Sequence, residues 1–188
     1  MTDTAKGISV ACTTDEVYVQ VVGRGTFQNS QPLHRFAQGM IDRGYRRITL
    51  DLGACTTMDS TFLGVLAGMG LRLHDPSGPP AGEVRIINAG HRSIELLQTL
   101  GLDRLFAIRQ LDPRAGPVPP PVNSLQRLPD SDVETEPLPL NKRDTTDLML
   151  TAHTNLIRAD QRNEARFAGV ARDLRDSLNR QQDHGSPP

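Results

Sequence analysis

The sequence predicts an α/β domain in which helices pack on a mixed sheet of four to five strands. The first observation is a pair of short apolar segments, residues 8–10 and 17–22, separated by turn residues, which indicates a β-hairpin. The second is the alternation of helix-like and strand-like segments after this hairpin, which is typical of strands joined through helices. The predicted order is ββαβαβα, and residues 102–108 predict a final turn and edge strand.

The first helix is expected soon after Gly23 and Gly25, which mark the exit from the second strand. Ser30 is the expected cap of this helix, Pro32 fits its first turn and Gly44 fits its end. The apolar positions of the helix fall on one face, which predicts that this face packs on a core. These positions are Leu33, Phe36, Ala37, Met40 and Ile41.

The strongest strand prediction is Arg47–Leu52, where polar and apolar residues alternate up to Gly53. A short loop over Ala54–Met58 is expected to lead to Asp59 and Ser60 at the start of the second helix. This part of the chain therefore predicts a junction of strand, loop and helix, with two polar side chains at the helix start.

The second helix is predicted over Thr61–Leu73 by a stripe of apolar residues. Gly64, Gly68 and Gly70 lie inside it, and each costs about 1 kcal/mol relative to alanine. We therefore expect close packing of another element to require some of these glycines.

The rest of the predicted domain consists of a turn, a strand and a helix. Residues 75–82 are rich in proline and glycine and predict a loop. Glu83–Ile87 predicts a buried strand, and His91–Leu100 predicts a helix that Gly101 follows.

Composition limits the classes of function. Hydrophobic residues make up 37% of the chain and aromatic residues 4%, so part of the chain is expected outside any core. The net charge is −1 and no basic patch stands out, which argues against a dedicated nucleic-acid binder. Residues 1–7 carry no signal-like apolar run, and no apolar stretch is long enough to span a membrane. Cys12 and Cys55 lack metal-ligand spacing, which favours two buried thiols in a reducing compartment and a cytoplasmic protein.

The chain is predicted to contain a domain, a linker and a helical extension. Residues 1–110 form the domain, and residues 111–143 form a proline-rich linker that is expected to be disordered. Residues 144–182 form the helical extension, and residues 183–188 are expected to be a disordered tail.

The helical extension carries apolar residues at spacings of three and four, which predicts one amphipathic helix or two helices broken near Asp160–Asn163. Asp144 or Thr145 is the expected cap at its start. Such an apolar stripe needs a partner surface. Docking on the chain's own domain is the simpler interpretation, and a dimer or a contact with another protein is the alternative.

The segment Leu50–Leu66 carries the most specific pattern in the chain. A helix N-terminus presents unpaired N–H groups and a positive potential, so a serine there can carry a phosphate. The simpler alternative is that Asp59 and Ser60 only cap the helix, because both residue types are preferred at that position for local reasons.

This segment resembles the signature of the STAS family of anti-sigma factor antagonists, D-L-x-x-[VC]-x-x-[MI]-D-S-[ST]-G-[LI]-G. The flanking Gly23, Asn88 and the run from Ile94 to Leu102 also agree with the family pattern. The resemblance covers the predicted domain and leaves out the linker and the helical extension. The matching signature residues are Asp51, Leu52, Cys55, Met58, Asp59, Ser60, Thr61, Leu63 and Gly64.

The resemblance implies a STAS fold and a non-enzymatic partner switch. Ser60, and less so Thr61, would be phosphorylated by a GHKL-type serine kinase that is also the anti-sigma factor. The unphosphorylated domain would bind this kinase, and a PP2C-type phosphatase would reset the switch. The residues implied to bind the partner are Thr26, Met58, Asp59, Ser60, Thr61 and Phe62.

Two departures from the family pattern leave a second interpretation open. Phe62 stands where the family usually has glycine, and Thr26 stands where it often has an acidic residue. The alternative is a constitutive STAS scaffold or binding subunit of a larger complex, either a transport complex or a stressosome-like one. An enzyme is not expected, because the five histidines are dispersed and the sequence contains no nucleophile motif, cofactor motif or metal-ligand spacing.

Overall fold

A computed structural model describes residues 6–75, 81–109, 125–128 and 142–183 of the chain. These residues form one mixed sheet of six strands, one more than the sequence predicted. The strands are β1 (Gly7–Cys12), β2 (Glu16–Gly25), β3 (Arg47–Met58), β4 (Glu83–Ile87), β5 (Phe106–Arg109) and β6 (Gln126–Arg127). The helices are α1 (Phe27–Asp42), α2 (Ser60–Leu73), α3 (His91–Thr99), α4 (Lys142–Ala159) and α5 (Glu164–Asp183).

The sheet has the strand order β5-β4-β3-β2-β1-β6. β1 and β2 form the predicted antiparallel hairpin. The neighbouring pairs β2–β3, β3–β4 and β4–β5 are all parallel. The predicted α/β class, the order ββαβαβα and the final edge strand are therefore confirmed. β4 has the predicted bounds, and a short 3-10 turn (Leu102–Arg104) precedes β5 as expected.

The prediction that β3 ends at Leu52 is wrong, because the strand continues to Met58. Its second half pairs with the end of β2. The register shifts twice along this stretch, and Gly25 lies opposite Met58 at its end. The second half of the strand is small, polar and mostly exposed, so it lacks the alternation on which a strand prediction depends. The junction at the helix start is therefore the paired end of a strand and not a loop.

The predicted start of α1 is also wrong, because the helix begins at Phe27 and Thr26 occupies the cap position. The backbone N–H of Thr26 donates to Oδ1 of Asn29 over 2.9 Å. Ser30 lies within the first turn, where its hydroxyl donates to the Thr26 carbonyl over 2.7 Å. A serine in a helix interior can satisfy its hydroxyl in this way, so its presence did not mark the boundary.

β6 lies in the segment that the sequence predicted as a linker without regular structure. Gln126 and Arg127 pair antiparallel with Val10 and Ser9 and so extend the sheet beyond β1. Residues 111–124 and 129–141 of the predicted linker lie outside the described residues, as do residues 184–188 of the predicted tail. The predicted domain boundaries stay predictions.

The helical extension docks on the chain's own domain, and the predicted break at Asp160–Asn163 is confirmed as a 3-10 turn between α4 and α5. The helix starts at Lys142, earlier than the expected caps Asp144 and Thr145. Leu148 and Leu156 of α4 are buried in the same apolar core as α1, α2 and the sheet. The extension therefore forms an additional layer over α2.

Asp160 holds the turn between α4 and α5 against the end of α3. Its carboxylate accepts hydrogen bonds from the side chain and the backbone N–H of Arg162, which lower its pKa to about 2. Next to it, Nδ2 of Asn163 donates to the Leu100 carbonyl over 2.9 Å. A Cβ at Gly101 would lie 2.8 Å from Cβ of Asp160, so the turn packs directly on this glycine.

The lowered pKa of Asp160 predicts a contribution to stability that depends on pH. The carboxylate stabilises the fold above the pKa of an unfolded aspartate, about 3.9, and this contribution is lost as the pH falls towards about 2. Thermal unfolding of wild type and Asp160→Asn from pH 6 to pH 2 measures it. We expect wild type to have the higher Tm at pH 6 and the difference to shrink towards pH 2. A difference that does not change with pH would contradict the assignment.

Candidate functional site

Asp59 lies at the N-terminal end of α2 and connects two helix starts. Its Oδ1 accepts a hydrogen bond from the backbone N–H of Phe62 over 2.8 Å, which caps α2. Its Oδ2 accepts from the backbone N–H of Phe27 in the first turn of α1, also over 2.8 Å. Its own N–H donates to the Gly25 carbonyl at the end of β2. The carboxylate thus satisfies one free N–H of each helix, and it fixes the α2 start against α1.

Ser60 is the first residue of α2 and is partly buried. Its hydroxyl oxygen lies 3.1 Å from Nε2 of His153 in α4. Nδ1 of the same imidazole lies 2.7 Å from the Met149 carbonyl, which can only accept. A neutral His153 therefore carries its proton on Nδ1, and the Ser60 hydroxyl donates to Nε2.

Three of the predicted partner-binding residues face the core. Met58 is 6% exposed, Thr61 is 5% exposed and Phe62 is fully buried. A Cβ at Gly25 would lie only 2.6 Å from the Phe62 ring, so the ring fills the space that this glycine leaves. The role of these three residues as partner contacts stays a prediction, whereas Thr26, Asp59 and Ser60 are more accessible.

A groove of about 720 Å³ lies beside Asp59 and Thr26. Three cationic residues line it, namely Lys6, Arg24 and Arg127, together with the first turn of α1. All three are exposed, and Phe27 at the same edge is 44% exposed. This end of the domain therefore presents a surface with positive charges and one exposed aromatic ring.

α4 covers the face of α2 that follows Ser60. A Cβ at Gly64 would collide with the main chain of Ala152, and a Cβ at Gly68 would collide with the Asn155 amide. Nδ2 of Asn155 donates to the Gly64 carbonyl over 3.3 Å, and it is buried there. The expectation that close packing requires some of the α2 glycines is thus met by Gly64 and Gly68.

His153 was not among the site residues predicted from the sequence. His153 is 6% exposed, and its ring centre lies 5.4 Å from that of Phe167 in α5. The sequence feature that could have identified it is its position, because His153 and Asn155 lie between Met149 and Leu156 of the apolar stripe, and both are buried in α4. Polar side chains on a buried face need partners, and His153 and Asn155 each have one partner on α2.

No group of three or more His, Cys, Asp or Glu side chains within the described ranges could hold a metal ion. In the same part of the chain, none of the helices is both long and apolar enough to cross a membrane. The two cysteines are free. The expectation that both are buried is wrong, because Cys12 lies at the exposed end of β1 and Cys55 is only partly buried. Partial burial still raises the pKa of both thiols.

A family model described as "Mlab, STAS domain" matches residues 8–110, which is more than half of the chain. The fold and this match define the class of protein: the chain belongs to the STAS domain family. The recognition made from Asp59, Ser60 and their neighbours is confirmed at this level. No curated protein sequence matches the chain.

Solved structures with a similar fold include two forms of SpoIIAA. The unphosphorylated anti-sigma factor antagonist SpoIIAA is 16% identical, with a TM-score of 0.46 over 56% of this chain and 88% of that chain. The phosphorylated Bacillus SpoIIAA is 15% identical, with a TM-score of 0.48 over 58% and 95% of the two chains. A Thermotoga maritima protein, tm1081, is 18% identical, with a TM-score of 0.49 over 57% and 90%.

Proposed function

We propose that the chain is a non-enzymatic signalling protein, an anti-sigma factor antagonist that binds an anti-sigma serine kinase of the GHKL type. Phosphorylation at Ser60 switches this binding off, and a PP2C-type phosphatase restores it. The observation that supports the proposal best is the position of the Ser60 hydroxyl, at the first residue of α2 directly after the capping Asp59. Such a protein acts in the cytoplasm, where its proposed partners are.

The proposed switch follows from charge. A phosphate adds about −1.5 to −2 charge at pH 7. In a free domain the α2 N-terminus and solvent accommodate this charge. In an interface it would lie beside the Asp59 carboxylate and lose its water. A poorly paired charge in an interface costs roughly 2–5 kcal/mol, which is about a 30-fold to several-thousand-fold loss of affinity.

The surface around Ser60 also indicates the character of the partner. Lys6, Arg24 and Arg127 surround the groove beside Asp59, so the partner surface is expected to carry acidic groups there. Thr26 lies at the same edge and replaces the acidic residue often found in the family. We propose that Thr26, Asp59 and Ser60 contribute side chains to the contact, and that Met58, Thr61 and Phe62 support it from the core.

A second candidate is a constitutive binding subunit of a larger complex, such as a transport or stressosome-like complex. The observation that favours it is that Ser60 is engaged by His153 and that α4 lies on α2. In such a subunit Ser60 would serve the docking of α4 and would not be modified. The two candidates differ in whether Ser60 variants change binding.

The test is a pull-down of full-length wild type, Ser60→Ala and Ser60→Asp from the host, read by mass spectrometry with phosphosite mapping. We expect wild type and Ser60→Ala to retain a GHKL-type serine kinase and Ser60→Asp to lose it by a factor of about 30 or more. A phosphate is expected at Ser60 in wild type.

Two controls separate a charge effect in the interface from other effects. Thr14→Asp adds the same charge at an exposed turn far along the sheet and should leave binding unchanged. His153→Ala removes the contact to Ser60 without adding charge, so it separates loss of docking from repulsion of a partner. Unchanged partners across the Ser60 variants, with no phosphate at Ser60, would support the constitutive subunit instead.

A further inference from the structure

The α2 face that starts at Ser60 is a docking surface for a helix, and α4 shows what fits it. The surface consists of Ser60, Gly64 and Gly68, which follow one another at intervals of four residues and so share one side of α2. The two glycines let another main chain approach closely, as the position of Ala152 over Gly64 shows. Hydrogen bonds at Ser60 and at the Gly64 carbonyl fix the alignment of the two helices.

The contact between α2 and α4 combines apolar burial with satisfied polar groups. Leu156 is fully buried, Ala152 is 1% exposed and Leu148 is 8% exposed. His153 and Asn155 use polar atoms on α2, so undocking α4 would return both side chains to water. The α4 face is therefore matched to the α2 face in shape and in hydrogen bonding.

The docked helix also restricts access to Ser60. The hydroxyl is hydrogen-bonded to Nε2 of His153, and the imidazole ring lies at an angle of 51° to the ring of Phe167 in α5. A kinase needs the serine hydroxyl free and in line with a nucleotide phosphate. The hydroxyl held by His153, under α4, does not meet this requirement.

We propose that α4 is an intramolecular occupant of this α2 face, and that its release is the step that exposes Ser60 to a modifying enzyme and the face to a partner. The partner that replaces α4 presents an α-helix whose main chain approaches Gly64 as closely as that of Ala152 does. The claim that a partner replaces α4 and that a kinase modifies Ser60 rests on the proposed function. The shielding of Ser60 by α4 does not.

The shielding is tested with a thiol at position 60 in the full chain. Cys12→Ser and Cys55→Ser remove the native thiols, and Ser60→Cys introduces the probe, whose alkylation by a maleimide is timed. Gly64→Ala in this background places a methyl group against the Ala152 main chain. Gly39→Ala in α1 is the matched control, because a Cβ there meets nothing within 4 Å.

We expect Gly64→Ala to accelerate alkylation about tenfold or more, because overpacking of this kind shifts such equilibria by that order, and Gly39→Ala to leave it unchanged. Amide hydrogen exchange should show faster exchange in α4, with the sheet protected. Leu156→Ala serves as a second release variant, because it removes apolar contacts between α4 and the core and leaves the α2 sequence unchanged. Rapid alkylation in the Gly39→Ala control, or equal rates in a variant whose α4 exchanges faster, would overturn the proposal.

Capture of the proposed kinase tests separately whether α4 competes with the kinase and whether the proposed function is right. If Leu156→Ala, which leaves the α2 face itself unchanged, retains more kinase than Gly39→Ala, α4 and the kinase compete for the α2 face. If both retain the kinase equally although α4 is released, the competition is wrong and the proposed function stands. If no variant retains a kinase or carries phosphate at Ser60, the proposed function is wrong, and the alkylation rates alone decide whether α4 shields the site.

Discussion

Replacing Phe62 by alanine is expected to lower the free energy of unfolding by about 3–5 kcal/mol, the usual cost of removing a fully buried aromatic ring. The ring is completely inaccessible and lies against Gly25 at the end of β2. It therefore joins the start of α2 to the strand that leads into α1. Chemical denaturation of wild type and Phe62→Ala measures the loss, and Phe27→Ala, at a ring that is 44% exposed, is the control with little effect.

The pairing of Phe62 with Gly25 makes a sharper prediction. Gly25 does not have a positive φ, so only the ring requires glycine there. Gly25→Ala alone should cost about 1–3 kcal/mol through overpacking. In the Phe62→Ala background the same change should cost less, or even stabilise, because the methyl group enters the vacated space. Equal costs in both backgrounds would show that the two residues do not compete for this space.

Replacing Asp59 by alanine is expected to cost about 2–4 kcal/mol, because one carboxylate satisfies backbone N–H groups in two helices. Asp59→Asn should lose less, since its single carbonyl oxygen can still cap α2. Its amide group, however, would meet the Phe27 N–H, donor against donor. Thermal and chemical denaturation measure both variants.

The control for Asp59 is Asp42→Ala. Asp42 forms an ion pair with Arg72 at the surface and is 62% exposed, so its loss should cost less than about 1 kcal/mol. If Asp59→Ala were as mild as Asp42→Ala, the link between the α1 and α2 starts would contribute little to stability. The Asp59 carboxylate would then be available for binding alone.

The sequence was sufficient for the α/β class because its strands and helices have strong periodic patterns. Polar and apolar residues alternate over Arg47–Leu52 and from Glu83 to Ile86, and both segments form strands as predicted. The continuation of β3 through Thr56 and Thr57 had no such pattern, because its side chains are mostly exposed and its partner strand carries bulges. Whether such a segment pairs as a strand depends on its neighbouring strand, and local periodicity does not report on that neighbour.

The candidate site was predicted in part for a similar reason. Asp59 and Ser60 stand at a helix start, where the residue types themselves indicate a cap. His153 comes from a segment 93 positions later in the chain, and no local pattern connects it to Ser60. Only the glycines of α2 hinted at a covering element. They could not say which element it is, because close approach is a property of two surfaces.

The short strand β6 has a consequence for how α4 competes with other proteins. The chain leaves the sheet at β5 on one edge and is anchored again by β6 on the opposite edge. The backbone N–H of Leu128 donates a hydrogen bond to the Ile8 carbonyl. Only residues 129–141 then separate Leu128 from the start of α4. A segment held by so short a tether has an effective concentration on the order of millimolar at its docking surface. A free partner at micromolar concentration must therefore bind this face about a thousandfold more tightly than α4 does, so only a well-matched partner replaces it.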